Sequence, residues 1–121
     1  MSVNLAVVRG HLSSAPEART LPSGRELAVL QITTRPAAGA ISVPVAMWDP
    51  PAWVVALDSG AELVAVGTVR RRFYRAGATT ASRVELEASF VARAGDRRRI
   101  DVAQRRIHEA LEGLEGDRSD S

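Results

Sequence analysis

Hydrophobic and polar residues alternate along most of this chain, which is the period-two pattern typical of β-strands. The clearest alternation places Ile41, Val43, Val45 and Met47 on one face of a predicted strand and Trp48 on the other. The first four residues are expected to lie in a hydrophobic core. Trp48 is then left among small and polar neighbours, where a large ring forms an accessible platform.

Four further stretches predict strands, each bounded by turn residues: 3–12, Glu26–Thr34, 61–75 and 82–93. Gly10 and Gly67 predict bends within two of them, because glycine inside a strand often marks a bulge or a kink. The last stretch alternates between a face that we expect to be buried, with Val84, Leu86, Ala88 and Phe90, and a face that we expect to be wet, with Arg83, Glu85, Glu87 and Ser89.

A short helix is predicted over 52–57, between the third and fourth strands. Asp49 is expected to cap its N-terminus, and Pro50 and Pro51 suit its first turn. Trp53 is expected to pack from this helix against the end of the barrel. Five strands with a short helix after the third favour an all-β, closed antiparallel barrel, and this order is that of the OB-fold.

Residues 96–114 change to a helical period, with apolar residues three and four positions apart. The arginines at the start of this predicted helix and the glutamates near its end oppose the helix macrodipole, so it should depend on docking. The candidate surfaces are its own barrel, a second subunit or another protein. The predicted organisation is therefore a barrel domain over 1–95, an amphipathic helix over 96–114 and a disordered acidic tail over 115–121.

Composition excludes several kinds of chemistry. The 121 residues contain no cysteine and only two histidines, His11 and His108, which rules out disulfides and thiolates and leaves almost no ligands for a metal site. Phosphate-loop, nucleophile-elbow and HExxH motifs are absent from the sequence. We therefore expect neither an enzyme nor a cofactor. Without a signal-like start or a long apolar stretch, the expected location is cytoplasmic and away from membranes.

The distribution of charge indicates a polyanionic partner. All 16 basic residues are arginine, which either reflects a genomic bias or favours contacts with phosphates and flat rings. Residues 70–106 contain eleven arginines against four acidic residues, whereas 107–121 contain one against five. A basic middle segment of this kind suits a nucleic acid better than a membrane, because no basic amphipathic anchor carries large apolar residues.

The candidate binding residues are concentrated in the fourth predicted strand. Strict alternation places Arg70, Arg72 and Tyr74 on one face and Arg71 and Phe73 on the other. A ring beside two guanidinium groups is what a binder of unpaired bases requires, and Trp48 would supply a second ring. The alternatives are a solvated strand end for the arginines and a subunit contact for Trp48.

Other arginines are weaker candidates. Arg9 and Arg35 stand near strand ends that could line the same groove, and Arg75 and Arg83 flank the fourth hairpin, where they could grip a nucleic-acid backbone. The arginines of 97–99 could extend the phosphate path, although helix docking explains them as well. OB-folds also bind oligosaccharides and proteins, so an assembly module that has lost nucleic-acid binding is the alternative function.

An ordered set of short motifs resembles the bacterial single-stranded DNA-binding protein family over roughly residues 3–93. The resemblance rests on 4–12, Ala15-Pro16-Glu17-Ala18-Arg19, Leu21-Pro22-Ser23-Gly24, the strand that runs into Trp48, Leu57-Asp58-Ser59-Gly60 and Gly67-Thr68-Val69-Arg70-Arg71-Arg72-Phe73-Tyr74.

This resemblance implies a homotetrameric or homodimeric protein that coats single-stranded DNA in replication, recombination or repair, without reading its sequence. It is expected in the cytoplasm, associated with the nucleoid. Two base-stacking positions carry over to Trp48 and Tyr74, and two others fall around Ala38 and Ser42, which have no rings. The sequence given ends in 116–121 without the family's acidic Pro-Phe tip, so the resemblance is to a short divergent member.

Overall fold

A computed structural model describes the backbone of residues 2–119 and the side chains of residues 2–113. Within this range the chain forms six strands and two helices. Their bounds are β1 Ala6–Leu12, β2 Glu17–Thr20, β3 Glu26–Thr34, β4 Ile41–Trp48, α1 Ala52–Val55, β5 Glu62–Ala76, β6 Thr79–Arg93 and α2 Arg97–Ser119.

The strands form one sheet that closes into a barrel, in the order β1-β5-β6-β4-β3-β2. Closure occurs because β1 pairs with β5 along most of its length and with β3 at His11 and Leu12. The predicted all-β OB-fold class is confirmed, with two additions. One pairing, β4 with β6, is parallel rather than antiparallel. The short strand β2 was not predicted, because all four of its residues are exposed and only hydrogen bonding to β3 defines it.

The inside of the barrel holds the main hydrophobic core. Its fully buried larger side chains come from five strands and α1: Leu12, Leu30, Ile32, Val45, Val54, Leu63, Leu86 and Val91. Trp53 is partly buried against this core, as its sequence position predicts. Gly10 lies where β1 crosses from one partner to the other, and a Cβ there would lie 2.2 Å from the Thr33 carbonyl oxygen. Only glycine therefore allows this crossing.

A second cluster lies on the outside of the barrel, beneath α2. Val64 and Val66 of β5 and Phe90 of β6 pack there against Ala103 of the helix. The register of β5 and β6 shifts at Gly67, where Ser89 is the extra residue. This bulge reverses the alternation, so Phe90 points outward, whereas the sequence pattern wrongly placed it on the same face as Leu86.

Three further expectations about burial are wrong, all in residues of β4 and β6 that precede the pairing of these two strands at Val45 and Leu86. Ile41 is 53 % exposed rather than in the core, because it pairs with Thr34 before β4 reaches its first β6 partner. Val84 is also exposed, because it pairs with Arg71 in β5 before β6 reaches its first β4 partner. Conversely, Glu85 is only 3 % exposed, although the alternation predicts a wet position.

Helix α1 begins differently from the prediction. Its N-cap is Pro51, which makes no side-chain capping hydrogen bond, and the helix ends at Val55. Asp49, the expected cap, has a left-handed backbone with φ of 49° and accepts a 2.9 Å hydrogen bond from Arg25 instead. Two consecutive prolines after Asp49 hold the chain extended, so its carboxylate does not reach the first helical turn.

Helix α2 docks on its own barrel. Ile100, Ala103 and Ile107 contact the outer cluster of β5 and β6, which accounts for the apolar stripe. Arg99 donates twice to the Val91 carbonyl oxygen, at 3.2 and 2.7 Å, and its guanidinium lies between the rings of Trp53 and Phe90. The helical backbone continues past Leu114 to Ser119, and Asp120 and Ser121 lie outside the described residues. Neither helix of the described chain is both long enough and apolar enough to span a membrane.

Candidate nucleic-acid interface

The β5–β6 hairpin extends well beyond the barrel. Each of its strands has 15 residues, but β5 pairs with β1 only as far as Gly67, and β6 pairs with β4 only at Leu86 and Glu87. The segment from Val69 to Val84 is therefore a two-stranded ribbon in which β5 and β6 pair only with each other. At its base, the Asn4 side chain donates to the Val69 carbonyl and accepts from the Val69 N–H, both at 2.8 Å.

The register divides the ribbon into two faces. Residues that pair directly across antiparallel strands share a face, and Val69 is opposite Leu86, which lies in the barrel core. We call the face that continues the core the inner face; it carries Val69, Arg71, Phe73, Arg75, Thr80, Ser82 and Val84. The outer face carries Arg70, Arg72, Tyr74, Ala81, Arg83, Glu85 and Glu87.

On the outer face, Arg70 is bound to a carboxylate. Its guanidinium donates to Glu87 at 2.7 Å. This hydrogen bond raises the pKa of Arg70 and lowers the pKa of Glu87, and a hydrogen bond from Trp48 lowers that of Glu87 further. Any phosphate that binds Arg70 therefore competes with Glu87.

Arg72 is bound more tightly still. It donates to Glu85 at 2.5 Å, and the Glu85 side chain is almost fully buried beneath it. A buried carboxylate without a partner is costly, so Arg72 is required to compensate this charge. The two arginines that the sequence singled out thus share a surface with Tyr74, as predicted, but each neutralises an acidic residue of the same face.

Trp48 lies beside this outer face and is itself partly covered. The Arg25 guanidinium lies 4.5 Å from the centre of its ring. Together with residues 70–73, Trp48 lines a shallow depression of about 340 Å³. The ring is close to the ribbon, but Arg25 occupies a position over one of its faces.

The remaining predicted residues divide by position. Tyr74 is 48 % exposed on the outer face, and Arg75 and Arg83 are exposed near the hairpin tip, without ion pairs among the described residues. Arg35 precedes β4, and because β4 is parallel to β6, its loop lies at the same end of the barrel as the hairpin tip. Arg9 does not lie near the ribbon. It is opposite Val64 in the register of β1 and β5, in the body of the barrel, and its guanidinium lies 3.6 Å from the Glu62 carboxylate.

Sequence reasoning missed three residues of the surface around the ribbon and Trp48. Phe73 is 67 % exposed, more than any other large hydrophobic side chain that the structure describes. Arg71 shares the inner face with it and donates only to the Ser82 hydroxyl, at 3.0 Å. Both are visible in the alternation, but the candidate set favours the ring and the guanidinium groups of the opposite face. Arg25 was missed because its contact with Trp48 crosses between strand ends 23 residues apart in the numbering.

The described residues offer no cluster for a metal ion: no three or more His, Asp or Glu side chains converge. What the surface around the ribbon and Trp48 offers is two exposed rings, several arginines without ion pairs among the described residues, and a shallow cleft beside Trp48. Such a surface has the groups to stack flat rings and to bind phosphates.

Comparison with known proteins gives a match in structure only. No family model matches the chain, and neither does any curated protein. Among solved structures, the wild-type single-stranded DNA-binding protein from Thermus aquaticus superimposes with a TM-score of 0.63 at 21 % identity. The match covers 75 % of this chain and 40 % of that one, so the chain corresponds to less than half of the Thermus protein. At this identity the comparison shows a shared OB-fold architecture.

Proposed function

We propose that this protein binds single-stranded DNA, without catalysis and without reading the base sequence. The observation that carries the proposal is the projecting β5–β6 ribbon, on which the exposed ring of Phe73 lies between Arg71 and Arg75 along β5. Stacking of bases on aromatic rings and attraction of phosphates by arginine are the two interactions that such binding requires. The Thermus protein of similar fold is named for the same ligand.

The ribbon also explains why sequence reading is not expected. Every base has a flat face, so stacking tolerates all four, whereas discrimination needs polar groups fixed against base edges. The exposed faces of this ribbon bear mainly rings, aliphatic side chains and guanidinium groups. A role in replication, recombination or repair, in the cytoplasm and associated with the nucleoid, follows from this proposed ligand.

The test is a titration of fluorescently labelled polythymidine, a few tens of nucleotides long, at two salt concentrations, with duplex DNA of equal length as competitor. We expect binding that duplex does not displace and that weakens steeply with salt, because arginine–phosphate contacts release counterions. An affinity independent of salt, or equal competition by duplex, would contradict the proposal.

Self-association as a homodimer or homotetramer is proposed separately. With the apolar stripe of α2 covered by its own barrel, the exposed apolar side chains that lie outside the ribbon include Val7 on β1 and Leu111 on α2. Sedimentation of the full chain, with and without polythymidine, measures the assembly state. A monomer in both conditions would contradict this part alone.

The alternative is an assembly module whose barrel no longer binds nucleic acid. It would gain support from a chain that fails to bind polythymidine at low salt yet forms a stable oligomer. The docked α2 weighs against a role for that helix in capturing other proteins, since Ile100, Ala103 and Ile107 face the barrel.

A further inference from the structure

The two faces of the β5–β6 ribbon differ in charge. The outer face carries three arginines and two glutamates, and Arg70 and Arg72 are each bound to one of these glutamates. The inner face of the described ribbon carries Arg71 and Arg75 and no acidic residue. A polyanion on the outer face must therefore displace or tolerate two carboxylates, whereas on the inner face it meets none.

The faces also differ in exposed apolar surface. Phe73 is 67 % exposed, and Val69 and Val84 on the same inner face are each about half exposed. Ile41, at the start of β4, adds a further exposed apolar side chain at the same end of the barrel. A two-stranded ribbon is marginally stable alone in water, and an apolar face of this kind indicates a surface that a ligand covers.

We infer that single-stranded DNA runs along the inner face of the ribbon, with a base stacked on Phe73 and phosphates bound by Arg71 and Arg75. This assignment rests on the proposed function and selects the face that the sequence pattern did not favour. Arg71 and Arg75 lie two residues on either side of Phe73, so the ring is flanked by a cation in both directions along the strand. Arg71 gives up only its hydrogen bond to Ser82 when it turns to a phosphate.

A second copy of the chain is a poorer occupant of this face. In a symmetric contact the same patch meets itself, so Arg71 and Arg75 of one copy would approach those of the other. The inner face provides no carboxylate to pair with them, and like charges brought together across an interface are destabilising. A ligand with flat apolar rings and negative charge matches both properties of the face.

The two faces can be tested with neighbouring residues of the same strand. Phe73→Ala and Tyr74→Ala remove adjacent rings from opposite faces, and Arg71→Ala and Arg83→Ala remove arginines that have no ion pair, one from each face. Each full-length variant is titrated with labelled polythymidine at several salt concentrations. Circular dichroism and sedimentation verify its fold and its assembly state.

We expect Phe73→Ala to weaken binding roughly 5- to 150-fold, the range for loss of one stacked base, and Tyr74→Ala to weaken it less than about twofold. Arg71→Ala should reduce the slope of log affinity against log salt by about 0.7, the value for one phosphate contact on a single strand, and Arg83→Ala should leave it unchanged.

The inner-face assignment is overturned if Tyr74→Ala costs as much as Phe73→Ala or more, or if neither variant changes binding. It is also overturned if Phe73→Ala dissociates an oligomer while the affinity of each barrel stays the same, since the face would then join copies of the chain. Failure of the wild-type protein to bind polythymidine at low salt would instead contradict the proposed function itself.

Discussion

The guanidinium of Arg25 lies 4.5 Å from the centre of the Trp48 ring and is held there by a 2.9 Å hydrogen bond to Asp49. A base that stacks on this side of the ring must first displace Arg25, which costs a cation–π contact and an ion pair. One face of the ring that the sequence pattern predicted to be an accessible platform is therefore occupied by the protein itself.

This contact makes a prediction about fluorescence. In a Trp53→Phe background Trp48 is the sole tryptophan, and Arg25→Ala should then increase the fraction of its emission that polythymidine quenches, because the ring face is free for stacking. Arg19→Ala, which removes a nearby exposed arginine of β2, is the control and should leave the quenching unchanged. Equal quenching with and without Arg25 would show that bases do not use that face.

Removal of the Glu87 carboxylate should leave the salt slope of DNA binding unchanged. Glu87→Gln frees Arg70 from its 2.7 Å ion pair, but Arg70 lies on the outer face, away from the inner face that we assign to the DNA strand. Titration with polythymidine should therefore give the wild-type slope of log affinity against log salt. A slope about 0.7 steeper, corresponding to one more phosphate contact, would mean that DNA reaches the outer face.

The same pair predicts a pH dependence of stability. Because Arg70 lowers the pKa of Glu87, the pair stabilises the folded chain above the ordinary carboxyl value of about 4.5, and this contribution disappears as pH falls through the lowered value. Urea unfolding of Glu87→Gln should thus show a deficit of less than about 1 kcal/mol at neutral pH that vanishes in acid. A deficit that does not change with pH would show that altered packing, and not the ion pair, causes the loss of stability.

Arg72→Ala should destabilise the fold far more than other substitutions in the ribbon. It leaves the Glu85 carboxylate buried without its partner, and the expected loss in the free energy of unfolding is about 3 kcal/mol. Arg83→Ala, on the same face but without an ion pair, should change it by less than about 0.5 kcal/mol. Recovery of stability in Arg72→Ala combined with Glu85→Gln would identify the stranded charge as the cause.

Gly67→Ala tests the bulge that reverses the alternation of β5 and β6. The added Cβ would lie 1.9 Å from the Glu87 carbonyl oxygen, so backbone must move, and we expect a loss of at least about 2 kcal/mol. Gly113→Ala in α2 is the matched substitution in open space and should stabilise by up to about 1 kcal/mol, through helix propensity. Thermal unfolding of the two variants compares them directly.

Arg99→Ala should loosen α2 from the barrel. The side chain donates twice to the Val91 carbonyl and contacts the rings of Trp53 and Phe90, so its loss is expected to cost about 2–3 kcal/mol. A change in the Trp53 environment should accompany the loss in near-ultraviolet circular dichroism. Arg98→Ala, an exposed neighbour, serves as control, and equal effects of the two would point to the helix dipole instead.

Local pattern was sufficient for the bounds of two strands. The bounds predicted for β3 and β4 match the structure because turn residues flank clean alternations. The pattern failed where burial depends on distant partners. Glu85 is buried with Arg72 paired to it across the ribbon, Ile41 is exposed because β6 does not reach it, and Phe90 changes face because of a bulge in the register.

For the candidate site, the sequence correctly predicted that Arg70, Arg72 and Tyr74 share one face. It did not predict that Glu85 and Glu87 bind the two arginines, because alternation tells which side chains share a face and not which of them pair. The sequence pattern also could not predict the exposure of Phe73, since this exposure depends on how far the hairpin extends past the barrel.

The pairing pattern of the barrel has a consequence for how it opens. Within the described chain, β1, β5 and β6 form one antiparallel unit with α2 on its back, and β2, β3 and β4 form another. Only two residue pairs join the units at β1–β3, and two at β4–β6. The molecule is thus two halves joined along two narrow seams, and the amide hydrogens that bond across the β4–β6 seam should exchange with solvent well before those within either half.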